Sequence, residues 1–181
     1  MQQKTEKWRN LRQRSRELFT VQDDTTYPIN RRILKSFKPI QSSTRTLFEA
    51  KGGGKELSPT NRAYKSVQYA VEQYIKGHDC SLSIDAVVRW FSTHYEWVTG
   101  KPCIDYNRWN ALDTFRKVLK TLDISEQELA YCLSKWLLTY TELGFDKYLE
   151  EPFSLSTLKR AWILDALFND TPLSSSKKSY Y

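Results

Sequence analysis

Three cysteines, far apart and odd in number, cannot make a disulfide framework, and a reducing interior suits such a chain. No run of about 18 apolar residues occurs, which excludes a membrane-spanning helix. The opening Met-Gln-Gln-Lys-Thr-Glu-Lys-Trp has no apolar core, so no secretory leader is expected and the expected location is cytoplasmic. Histidine is nearly absent, with only His78 and His94. No serine sits between the glycines of a nucleophile elbow, and no cysteine has a histidine beside it for activation. These absences leave catalysis little to stand on, and neither an enzyme nor a cofactor is expected.

Two metal readings fail on similar grounds. His78, Cys80, His94 and Cys103 are acceptable zinc ligands by type. Yet a helix over 84–98 puts Cys80 before its start and Cys103 past its end, roughly 20 Å apart at about 1.5 Å per residue. Buried structural thiols are the better reading of Cys103 and Cys132. Glu142, Asp146, Glu150 and Glu151 could gather round a divalent ion as in a nuclease. They lie on a segment without a strand to fix them, and a solvated acidic loop explains them better. Gly54-Lys55 is no phosphate-binding loop, because Glu56 stands where a hydroxyl is needed and no strand precedes it.

What the chain does have is aromatic residues and positive charge in one place. Of its 181 residues, six are Trp, eleven Tyr and eight Phe, and the net charge is +7. Residues 1–60 carry 13 Lys and Arg against 6 Asp and Glu, while 61–181 carry 15 against 15. All of the excess lies in the first third. The basic part and the folded part are therefore expected to be different objects.

Residues 5–19 show one narrow apolar face, Trp8, Leu11, Ser15 and Leu18, crowded by Arg9, Arg12, Arg14 and Arg16. So little apolar surface cannot hold a helix alone, since 12–15 residues is marginal in water. A basic arm that orders on a polyanion is one reading, and a solvated helix docked by Trp8 and Leu18 is the other. From Val21 to Thr60 turn-formers break any long period. Within that stretch Ile29–Lys38 is a short basic and apolar block, either a turn of helix on the core or a second phosphate-contacting cluster. The expected division is an arm and glycine-rich linker over 1–57, a helical domain over 58–170 and a tail over 171–181.

The domain is predicted to be all-α, a compact bundle of about five helices. Ser58-Pro59 is a helix-start signature, and a stripe from Ala63 to Ile75 ends at Gly77. Ile84, Val87, Val88, Phe91, Tyr95 and Val98 form a second stripe, stopped by Gly100. Ala111 to Leu122 and Leu129 to Tyr140 form two more, joined by Asp123-Ile124, with Ser125 and Glu128 spaced as a reciprocal capping box. So short a connection predicts a helical hairpin. A last helix is expected from Ser154 or Ser156 to Phe168. No segment alternates with period two for long enough to be a strand.

The layout over about residues 84–168 carries a resemblance. A helix ends in Tyr95-x-x-x-x-Gly100-Lys101-Pro102, followed by Ile104-Asp105-Tyr106. Leu112-x-x-Phe115-x-x-Val118-Leu119-Lys120-Thr121-Leu122 comes next, then Ser125-Glu126-x-Glu128-Leu129 and Trp136-Leu137. Gly144-Phe145 then precedes Phe153-Ser154-Leu155-Ser156-x-Leu158. This resembles the C-terminal helical segments of phage and plasmid replication accessory proteins, of the helicase-loader or DnaD-like kind. The resemblance implies a segment that binds DNA or hands a helicase to it, without catalysis. No winged-helix domain precedes it here, so the basic arm would have to supply the affinity.

The expected partner is nucleic acid, DNA before RNA, and beyond it a helicase or other replication protein. Phosphate contacts are assigned to Arg9, Arg12, Arg14, Arg16, Arg31, Arg32, Lys35 and Lys38, extended by Arg116, Lys117 and Lys120. Trp8 and Phe37 are the candidate stacking rings. The alternative is an adaptor whose arm folds on a protein partner. In that case Trp90 and Trp97, off their helix's main stripe, and Trp109, near a helix start, would be exposed anchors. A metal-dependent nuclease is the third reading.

Overall fold

A computed structural model describes residues 28–40, 58–103, 106–140, 155–160 and 163–164. They form α1 (Pro28–Ser36), α2 (Pro59–Ile75), α3 (Ile84–Thr99), α4 (Arg108–Leu122), α5 (Glu126–Thr139) and α6 (Leu155–Leu158), with no strand among the described residues. The all-α expectation holds. Each long helix begins where its chemistry allows. The hydroxyls of Ser58, Ser83 and Ser125 and the amide oxygen of Asn107 accept from first-turn N–H groups that would otherwise go unpaired. Ser125 and Glu128 complete the expected capping box, with the Ser125 N–H donating to Glu128 Oε2 at 2.9 Å.

Helix α5 is the hub. Leu129, Ala130, Tyr131, Leu133, Trp136 and Leu137 are buried, and so are Gln127, Glu128, Ser134 and Thr139 on its other sides. A helix covered all round must satisfy its polar groups internally. Ser134 Oγ donates to the Ala130 carbonyl and Thr139 Oγ to that of Lys135. The Gln127 amide donates to the carbonyls of Ala70 (2.9 Å) and His78 (3.0 Å), while its oxygen accepts from the Cys80 N–H. One side chain thus ties the α2–α3 connection to the start of α5.

Helices α2 and α3 pack side by side and antiparallel, Tyr64 near the start of one meeting His94 toward the end of the other. Helix α4 does something the spacing did not foretell. Arg108 at its start pairs with Asp85 at the start of α3, and Phe115 meets Phe91 edge-on, with ring centroids 5.4 Å apart. The two helices therefore begin at the same end and run the same way. Residues 85 to 99 of α3 span roughly 21 Å along the axis, and residues 100–107, extended, reach about 26 Å, enough to return that distance.

The expected hairpin of α4 and α5 is accordingly corrected. Helix α4 packs on α3 and α6, whereas α5 packs on α2, α3 and α1, and the two diverge from the Asp123-Ile124 corner. Asp123 closes α4 in the left-handed conformation at φ 53°. The Ile124 N–H reaches back to the Leu119 carbonyl, which ends the helix and turns the chain away. A short link requires that helix ends be close, not that helix sides pack.

The expected boundary at residue 58 is corrected too. Ile33 and Phe37 belong to the same core as α2 to α5, so the 28–40 segment is part of the body. Phe37 stacks on Trp90 at 6.1 Å and lies 4.8 Å from the His94 ring, while Tyr64 meets it edge-on. Its assignment as a stacking ring for nucleic acid falls with that burial. So does Trp90's as a surface anchor, since it is fully buried and stacked on His94 at 4.7 Å. Trp90 lies off its helix's main stripe because it faces this docked segment. Cys103 and Cys132 are half-buried rather than buried. Leu155, Leu158, Ile163 and Leu164 are buried, but a turn at Lys159 interrupts the expected last helix.

Removing the Phe37 ring leaves a cavity that Trp90 and His94 cannot fill. Phe37→Ala is expected to lower the unfolding free energy by about 3–5 kcal/mol in urea titration. A loss below about 1 kcal/mol, the scale of surface substitutions, would mean the segment is not docked.

Candidate nucleic-acid interface

Arg31 and Lys35 stand one turn apart on the outer side of α1, and both are exposed. Ile33 and Phe37 bury the inner side. Alternation of this kind is what an amphipathic helix on a core requires. Past the helix end, the Lys38 ammonium lies over the indole of Trp97, 5.7 Å from the ring centroid. Trp97 is 50% exposed. Lys101 is exposed just beyond the end of α3, and Glu96 is the carboxylate on the same turn as Trp97. Among the described residues Arg31 and Lys35 make no ion pair, so their charges are available to an outside anion.

Arg32 has a structural task. Its Nη2 donates to the Leu138 carbonyl at 3.1 Å, one of the acceptors that the end of α5 leaves unpaired. A cation there also suits the negative end of the helix dipole. It anchors α1 to the hub as well as adding positive charge.

The position of this face rests on a buried polar chain. The Lys38 backbone N–H donates to the Tyr64 hydroxyl at 2.7 Å, and that hydroxyl bonds His94 Nδ1 at 2.9 Å. Burial pushes the Tyr64 phenol up to about 12 and pulls the His94 imidazole down to about 3. Both side chains are therefore neutral near neutral pH. His94 Nε2 and the Trp90 indole N–H are buried without a hydrogen-bond partner among the described residues, so a charged ring would have nothing to compensate it.

A second basic stretch lies elsewhere. Arg116, Lys117 and Lys120 are exposed on α4, with Lys117 paired to Asp113 at 2.8 Å. Helix α4 packs on α3 and α6 and α1 on α5 and α2, so the two stretches do not form one path. At the start of α4, Trp109 is 73% exposed with the Arg108 guanidinium 5.7 Å from its ring centroid. Arg108 and Arg89 both bond Asp85, and these bonds hold its carboxyl below the usual carboxylate range. Trp97 lies twelve residues along α3 from Asp85, roughly 18 Å at 1.5 Å per residue. Trp97 and Trp109, the exposed tryptophans among the described residues, therefore mark opposite ends of α3.

Trp97, expected from the sequence as an anchor for a protein partner, is the half-exposed ring beside Lys38. A signal for it existed: it lies off the apolar stripe, in the turn just before the Gly100 stop. Trp8, Arg9, Arg12, Arg14 and Arg16 lie outside the described residues, as do Glu142, Asp146, Glu150 and Glu151. Among the described residues no three His, Cys, Asp or Glu side chains gather to hold a metal, and no helix is long and apolar enough to cross a membrane. No family model, curated protein or solved structure matches the chain.

His94 titrates below its ordinary value of 6.5. Its contribution to stability is complete above pH 6.5 and is lost as pH falls from there toward about 3, because the unfolded chain takes up the proton first. The expected slope is about 1.4 kcal/mol per pH unit within that window, added to the carboxylate effects. In His94→Leu the decline should be shallower. An unchanged slope would contradict the buried neutral ring.

Proposed function

We propose that the chain is a non-catalytic nucleic-acid-binding accessory protein, acting in replication or a related DNA transaction of a phage or mobile element. The observation that carries this is the exposed face of α1 with Arg31 and Lys35, followed just past the helix end by Lys38, whose ammonium lies over the half-exposed ring of Trp97. Phosphates are the anions such a row suits, because several weak contacts add through counterion release. The arginines Arg9, Arg12, Arg14 and Arg16, upstream of α1 in the sequence, would lengthen the path. Arg32 contributes field more than direct contact, since its guanidinium bonds Leu138. The placement within replication rests on the resemblance of residues 84–168 to helicase-loader or DnaD-like segments.

A second reading, an adaptor, is favoured by Trp109. Its indole is exposed beside the Arg108 guanidinium, and Trp and Arg are among the residue types enriched at the energetic centres of protein interfaces. A cytoplasmic protein handing a helicase to DNA would need both ends, one for each partner.

Neutralising the α1 face tests the first reading. For each of Arg31→Gln and Lys35→Gln, the slope of log affinity for an oligonucleotide against log salt should become shallower by about 0.7–0.9. Thermal stability should hardly move, because both side chains are exposed. An unchanged salt slope in the double substitution, or no binding by the full chain at low salt, would remove nucleic acid from the account. Trp109→Ala should leave this binding intact.

A further inference from the structure

We infer that Trp97 is a stacking platform for an unpaired base, so that the nucleic acid held on the α1 face is single-stranded. The inference deepens the proposed function and rests on it. Three observations carry it. The indole is half-exposed while Phe91 and Tyr95 on the same helix are buried. It stands in the last turn of a helix rather than on a loop, so its point of attachment is set by helix backbone. Lys38 lies over it at 5.7 Å, and the helix that leads into Lys38 exposes Arg31 and Lys35 one turn apart.

The cation over the ring is what selects the ligand. An ammonium on an exposed indole makes a weak contact with the electron-rich ring face. A base on the same face makes a stronger one, and it brings a phosphate that can take the displaced ammonium. Both groups are therefore better satisfied with a strand present than without it. Arg31 and Lys35, with side chains about 5–6 Å apart along one helix face, then meet the phosphates that follow.

Duplex cannot use the ring in this way. Each of its bases is already covered by neighbours on both faces, and exposing one requires unstacking. The cations would still hold a duplex, but without the indole. The same face therefore binds both forms through charge and prefers one through stacking. An exposed aromatic could also serve a protein surface, but Trp97 lies against the cation of Lys38, and the helix that leads into Lys38 exposes two more cations, Arg31 and Lys35. A phosphate-bearing ligand complements that arrangement, and the opposite end of the body carries the better protein anchor in Trp109 with Arg108.

The test uses the full chain, with a short fluorescent oligothymidine and a loop-free two-stranded duplex of equal phosphate number, each titrated over a salt series. Oligothymidine should bind more tightly than the duplex and should quench tryptophan emission. Trp97→Leu should weaken oligothymidine binding about tenfold or more while leaving the duplex affinity and both salt slopes unchanged. Trp97→Phe should restore most of the loss. The substitution lies at an exposed site, and an unchanged melting temperature confirms that the fold survives. Equal affinity for the two probes, or a Trp97→Leu variant that binds oligothymidine as the parent does, overturns the stacking role while leaving the charged face standing. Binding to neither probe at low salt overturns the face itself.

Discussion

The docking of Phe37 among Tyr64, Trp90 and His94 is the contact on which the exposed basic face of α1 depends. It converts a short basic stretch, which has too few turns to be helical by itself, into an ordered helix with one side turned outward. The aromatic rings supply the apolar area, and the Lys38 N–H to Tyr64 to His94 chain supplies direction. Without that chain Lys38 has no fixed place, and nothing would hold its ammonium over Trp97. A buried imidazole is a costly way to accept one hydrogen bond. It works because burial pulls the ring's pKa down to about 3 and so keeps it uncharged near neutral pH.

Around this contact the body divides into two ends. Helix α5, covered on every side, fixes α1, α2 and α3 relative to one another, and its Gln127 amide fastens the α2–α3 connection. Helices α3 and α4 start together at the Asp85–Arg108–Arg89 cluster, which presents Trp109. The other end of α3 presents Trp97 under Lys38. The outline of α4, a sharp corner and α5 is superficially that of a helix-turn-helix, but its second helix is the most enclosed in the molecule. It cannot lie in a groove, so the corner is not the route to nucleic acid.

Helix positions were legible in the residues because caps and stripes are local. Ser58-Pro59, the Ser125–Glu128 box and the Gly100 stop all stand where their spacing placed them. Packing partners were not, because they depend on the path of the chain between helices. The Asp123-Ile124 link looked like a hairpin turn, yet a left-handed Asp123 sends α5 away from α4. Trp90 looked exposed because its partner, Phe37, lies 53 positions earlier in a stretch that reads as linker. For the same reason Phe37 was mistaken for a surface ring, and Trp97 was not recognised as the neighbour of Lys38. The exposure of Arg31, Lys35 and Lys38, by contrast, agrees with their polar placement in the sequence.

The central claim is that a strand lies along α1 and over Trp97. Backbone and indole resonances of the full chain, followed by NMR while oligothymidine is added, report this position by position. The account predicts progressive shifts concentrated at residues 31–38 and at the Trp97 indole N–H, with Arg116 to Lys120 and Trp109 little changed. Shifts centred on α4 and Trp109, with α1 unaffected, would contradict it.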